Sequence, residues 1–166
     1  MASCSTVLPV DFYRAFLQVA SKAVPSLMEV WSKYRDFTKL MRSDIFPKIA
    51  DLLGLCCYSS DYYTLDGIFY AETGTKHFRS GTTYAKSIAV ALEHENDPVG
   101  TATEMNKLQL INTPLKVLIT YPWRDEHAQK LLESYAGIVT AADIFRDIAT
   151  LRRQLVIFGF HGESPR

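Results

Sequence analysis

The chain has 166 residues, 48% of them apolar and 22% charged, and its eighteen basic and eighteen acidic side chains cancel to zero net charge. That length fits one domain with a sizeable core, and the charge balance excludes a wholly basic nucleic-acid coat protein while leaving room for a local basic face. There is no apolar run of about 18 residues that would span a membrane, no signal-peptide pattern at the N-terminus, and no CxxC pair among Cys4, Cys56 and Cys57. A reduced, cytoplasmic protein without a disulfide framework or structural zinc is therefore expected.

In chain order, residues 11–24 read as an amphipathic helix stopped by Pro25. From Leu27 the apolar positions Val30, Trp31, Tyr34, Phe37, Leu40 and Met41 recur at helical spacing and predict a second, longer helix. Its polar side carries Lys33, Arg35, Lys39 and Arg42, together with Asp36. The stretch "SDIFPKIADLLG" predicts a short helix with Ser43 or Asp44 as N-cap, Pro47 in the first turn and Gly54 at the end.

The period then changes. Residues 62–70, "YYTLDGIFY", predict a first strand, with the aromatic-rich "CCYSSDYY" packing around it, and the Gly-punctuated segment after it predicts a polar connection that has room for a short strand. Residues 87–95, "SIAVALEHE", predict a second strand, which pairs antiparallel with the first. A helix over "TATEMNKLQLIN" leads to the nearly continuous apolar strand 115–122, the pattern of a sheet covered on both faces. Two helices, 125–138 and 141–151, and a last strand, 154–160, complete the order. The β-α-β order from 87 to 121 implies a parallel pair. The expected class is α/β, a mixed central sheet flanked by helices, in a single domain over 1–166 with a helical part at 10–56 and an α/β core at 60–161.

Glu93 and Glu95 end the second strand two positions apart, and alternation puts them on one face, following the small residues Ala89 and Ala91. Asp66 stands mid-strand beside Gly67, residue types that strands deplete, and can come beside Glu93 if the strands pair. Three close carboxylates repel unless a cation sits among them or their pKa values rise. Hard oxygen ligands of this kind suit Mg²⁺ or Mn²⁺. The side chain of His94 should face the other side of the sheet, as a packed or surface imidazole. There is no Walker loop, dinucleotide fingerprint or nucleophile elbow.

"LDGIFY", then "VALEHEN", then a helix and "LKVLITY", resembles the PD-(D/E)XK nuclease superfamily, the restriction-endonuclease-like fold, over about residues 10–122. The shared pattern is an Asp on one strand, an acidic-x-Lys triplet ending the next, and a helix leading to a further apolar strand. The resemblance implies Mg²⁺- or Mn²⁺-dependent hydrolysis of DNA phosphodiesters, with Asp66 and Glu93 holding metal. Glu95 stands where most members have Lys, and Leu65 where the motif has Pro. Glu95 would then act as general base or ligate a second metal. Lys107, one turn beyond Glu104, is the candidate for a migrated catalytic lysine, and Lys116 is a weaker one. The other reading of that helix is a Thr101-x-x-Glu104 capping box with Lys107 in solvent. Glu29 is an exposed helix residue or a further approach to the metal.

Lys33, Lys39 and Arg42 are the candidate nucleic-acid contacts, supplemented by Lys76, Arg79 and Lys86; an ordinary solvated helix face is the alternative. One small domain grips duplex weakly, so a homodimer or partner subunit is expected, and no membrane partner. The competing reading is a degenerate member of the fold that binds nucleic acid or protein without catalysis.

Overall fold

The computed structural model describes residues 6–60, 62–71, 75–79, 82–85, 87–143 and 153–160. The first helix, α1 (Pro9–Val30), opens with Pro9 at a position where no backbone donor is needed. Contrary to expectation, Pro25 does not stop it. Proline lacks one helical donor, but Pro25 lies on the exposed side, and the helix is held by packing of its other face. Phe12, Ala15 and Val19 are buried there, with Phe16, Ala23 and Leu27 partly so. Burying a phenylalanine such as Phe12 contributes roughly 2–3 kcal/mol, which offsets a single lost hydrogen bond.

The expected long helix from Leu27 is instead divided by a break at Trp31–Lys33. Beyond the break, α2 (Tyr34–Leu40) continues through a π turn (Met41–Ile45) directly into α3 (Phe46–Leu52). No side chain caps α3, so the expected Ser43 or Asp44 cap is absent. Asp44 pairs with Lys48 instead, at 2.7 Å. The row Phe37, Met41, Ile45, Ile49 is buried at every fourth residue. Such a row drifts by about 40° per step around a helix of 3.6 residues per turn, and the wider π turn takes up part of the drift. Gly54, at φ +68°, ends α3. Its N–H bonds the Asp51 carbonyl and the Leu55 N–H bonds Ala50, the hydrogen-bond pattern of a left-handed helix terminus.

The main sheet contains β1 (Cys56–Tyr58), β2 (Gly67–Tyr70), β5 (Ile88–Glu95), β6 (Leu115–Thr120) and β7 (Arg153–Phe158), side by side in that order. The β1/β2 and β2/β5 pairs are antiparallel, and β5/β6 and β6/β7 are parallel. Strands β3 (Thr75–Arg79) and β4 (Thr82–Ala85) form a separate hairpin in the expected polar connection. Strand β2 begins only at Gly67, because Tyr63 and Thr64 adopt positive φ (50° and 69°) and turn the chain at 62–65. Helix α4 (Thr101–Gln109) connects β5 to β6, and α5 (Asp125–Ala142) follows β6. Of the expected helix at 141–151, residues 141 and 142 belong to α5, and those from 144 on lie outside the described residues.

Helices cover both faces. α1 to α3 pack on Val90, Leu92, Val117 and Ile119, while α4 and α5 bring Met105, Leu108 and Tyr135 onto Ile68, Ala91 and Leu118. The chain is thus α/β with a mixed sheet, and no described helix is long and apolar enough to cross a membrane. The β2/β5 register shifts between Phe69 and Tyr70, opposite Ala89. This bulge turns Ala89 onto the α1–α3 side, so only Ala91 precedes the carboxylates on their face.

Candidate functional site

Gly67 pairs with Leu92, which sets Asp66, one residue before β2, beside Glu93 and His94. Asp66 Oδ2 accepts the backbone N–H of His94 at 2.9 Å. Its carboxyl also lies close enough to Glu93 for the two to share a hydrogen bond. From α2's continuation, Arg42 reaches in. Its Nε donates to the Ser59 carbonyl at 2.8 Å and its Nη1 stands 3.8 Å from Asp66 Oδ1.

Glu93 is 2% exposed and points to α4. Lys107 Nζ lies 2.9 Å from Glu93 Oε1, pairs with Glu104 one helical turn back, and donates to the Thr64 carbonyl at 3.1 Å. Lys107 is thus drawn into the acids instead of standing in solvent. The expected capping box is not formed: the N-cap of α4 is Gly100, and the Thr101 hydroxyl donates to the Pro98 carbonyl at 2.8 Å. One ammonium serves two carboxylates here. Glu93 Oε1 and Glu104 Oε2 both remain buried acceptors without an aligned hydrogen bond.

Burial, with repulsion from Asp66 and Glu104 and against the pull of Lys107, pushes Glu93 up to about 9. Burial also raises Asp66, opposed by the His94 N–H and Arg42. Burial alone would lower Lys107, but Glu104 and Glu93 raise it, so the ammonium keeps its proton. On the opposite face, burial lowers His94 to about 3. Its ring stacks on Phe37 at 5.4 Å and its Nε2 meets the Tyr121 hydroxyl at 3.1 Å. His94 is a packed, neutral imidazole.

Glu95 departs from the expected three-acid cluster. Its Oε1 accepts the Asp97 N–H at 2.8 Å, and it lies under Gly100 at the edge of the sheet. Among the described residues no group of three acids, histidines or cysteines is arranged as a metal-ligand set. The acid cluster is the pair Asp66–Glu93, with Glu104 joined to it through Lys107. Lys116 is buried at the far end of α4, bonding the carbonyl and side chain of Gln109 at 3.4 and 3.2 Å, and does not approach the acids. Glu29 is exposed on α1.

Of the basic candidates, Lys39 and Arg42 line a cleft of about 800 Å³ with Arg35, whereas Lys33 stands exposed at the break before α2 and does not line it. Lys76 and Arg79 sit on β3, and Lys86 lies outside the described residues. Sequence reasoning missed Glu104 as a partner of Lys107 and Arg42 as a partner of Asp66. The i, i+3 spacing of Glu104 and Lys107 was the available signal.

Asp66 and Glu93 are adjacent carboxylates of the hard-oxygen type, of which Mg²⁺ takes one or two, and Glu93 Oε1 already faces the Lys107 ammonium at 2.9 Å, so a cation there would have to share that oxygen. Comparisons with protein families, with characterised proteins and with solved structures found no match.

Proposed function

We propose that the chain is a Mg²⁺- or Mn²⁺-dependent nuclease that hydrolyses phosphodiester bonds of DNA, of the restriction-endonuclease-like kind that its motifs resemble. One observation carries this reading: Lys107 Nζ lies 2.9 Å from Glu93 Oε1, and Glu93 in turn sits against Asp66. The lysine that the motif lacks at position 95 arrives instead from α4, beside the same acid pair.

Asp66 and Glu93 would hold the cation, which supplies Lewis-acid polarisation of a phosphate and a more acidic bound water. The amide of His94 fixes the Asp66 carboxylate in orientation. Lys107, kept protonated by two glutamates, places a positive charge where negative charge develops on phosphate oxygens. Glu104 holds that ammonium in place. Arg42 ties the acid pair to the basic cleft.

Plasmid nicking with Mg²⁺ or Mn²⁺ tests the reading. Asp66→Asn, Glu93→Gln and Lys107→Met should each lower the rate about 100-fold or more, with far-UV circular dichroism unchanged. Nicking equal in all four proteins would mean a contaminant and end the proposal.

A second reading has its own support. Lys107 and Arg42 already compensate the acids, as a binding module that has lost catalysis would retain them for structure. Calorimetric titration with Mn²⁺ separates the two: the nuclease binds the ion and Glu93→Gln does not, whereas the module binds none.

A further inference from the structure

Two hollows adjoin at the break between α1 and α2. The first is the cleft of about 800 Å³, with Arg35, Lys39 and Arg42 on its α2 side and Ser59, Ser60 and Asp97 among the residues across it. The second, about 350 Å³, is walled by Trp31, Tyr34, Phe37, Tyr121 and Trp123. Tyr34 and Asn96 line both.

The partition between them is fixed in place. The Asn96 amide donates to Thr38 Oγ1 at 3.1 Å and to the Tyr34 carbonyl at 3.4 Å. Trp31 stands edge-on to Phe37 and Tyr121, at 5.1 and 4.9 Å between ring centres. Tyr34 is 67% and Trp123 58% exposed, the latter with its ring 4.7 Å from that of His127 between centres, so two large rings stand largely in water at the mouth of this hollow.

A groove with one basic wall, opening into an aromatic hollow, suits charged phosphates joined to flat bases. Successive bases of a single strand offer their faces to aromatic side chains while the groove follows the backbone. An intact duplex cannot use the hollow, because its base faces are stacked inside and only their edges reach the grooves. Glu95 and Asp97 line the cleft near α4, and accept the N–H groups of Asp97 and Val99. They repel phosphate there, which keeps the backbone on the α2 side.

We propose that this face binds a single polynucleotide strand, with phosphates along Arg35 and Lys39 and an unstacked base in the hollow between Tyr34 and Trp123. The inference deepens the nuclease reading by giving its substrate a strand form, and it rests on that reading for the acid pair as the destination. Arg42 supplies the connection, since it lines the cleft and stands beside Asp66.

The test is fluorescence anisotropy in EDTA with a labelled oligo-dT, a blunt duplex of equal length, and polyglutamate as competitor. The strand should bind at least tenfold more tightly than the duplex. Tyr34→Ala and Trp123→Ala should each weaken it about tenfold without changing the salt dependence. Arg35→Ala and Lys39→Ala should each reduce the log–log salt slope by about 0.7. Equal affinity for duplex, displacement by polyglutamate at equal charge concentration, or indifference to both aromatic substitutions overturns the inference. Cleavage of the same labelled strand with Mg²⁺ or Mn²⁺ separates the two readings. If the wild type binds the strand in EDTA but cleaves neither it nor plasmid with the metal, the nuclease reading has failed and the strand-binding face stands; cleavage without strand preference in binding gives the reverse.

Discussion

His94 and Glu93 are neighbours on one strand, and the two faces of the sheet treat them differently. Burial works against charge on both, lowering the imidazole to about 3 and raising the carboxyl to about 9. On the α1–α3 face nothing answers with an opposite charge. Phe37, Phe46 and Tyr121 surround the ring, and it remains neutral as one more aromatic. On the α4 face Lys107 answers, so the carboxyl sits in contention between desolvation and an ion pair. The same physical cost produces a neutral packing element on one side and a cluster of acids held by a lysine on the other.

Acid is the strongest way to break the contrast. A histidine whose folded pKa lies below its unfolded value of about 6.5 gives stability that is complete above that value and lost as pH falls toward about 3. Thermal or urea unfolding of the wild type should therefore weaken by on the order of a few kcal/mol between pH 6.5 and 3. His94→Phe should remove much of that slope. Glu93 has the opposite sign: its raised pKa gives stability that is present below about 4.5 and lost as pH rises through about 9. Glu93→Gln should flatten the fall in stability between about pH 4.5 and 9, and a change in slope below about 4.5, where only the His94 window remains, would show that the faces are not independent.

A smaller effect probes the aromatic face by crowding. A methyl group at Gly159 would stand 2.5 Å from the Tyr121 ring, so Gly159→Ala should cost about 1–3 kcal/mol by overpacking. Chemical denaturation measures it, and the loss should exceed that of Gly137→Ala, where a methyl group meets nothing. At the bottom of the scale, Lys48→Ala removes an exposed pair with Asp44. It should change stability by no more than about 0.5 kcal/mol, against which the buried pair of Lys107 can be judged.

The apolar runs of β5, β6 and β7 were legible because strands covered on both faces leave little ambiguity. The placement of Asp66 beside Glu93 was legible too, since antiparallel pairing follows from the element order. Pro25 misled because a proline's local cost is visible in sequence while the packing of Phe12 and Val19 is not. β1 has three residues and no alternation to betray it. The bulge at Ala89 leaves no sequence mark, so the face assigned to that residue was wrong while those of Ala91 and Glu93 were right. Thr101 and Glu104 carry a capping pattern, yet a hydroxyl that bonds Pro98 and a carboxylate that meets Lys107 have better partners in the folded chain.

The π turn at Met41–Ile45 works as a phase adjuster. By widening one turn, it lets a four-residue apolar rhythm stay on the core from Phe37 to Ile49. The polar residues ride on the same backbone, so the adjustment also sets the angle at which Arg42 leaves it. A regular helix would give each residue a fixed rotation of about 100° from the last; the extra width resets that rotation, so one short turn sends Met41 and Ile45 to the core and leaves Arg42 on the cleft wall.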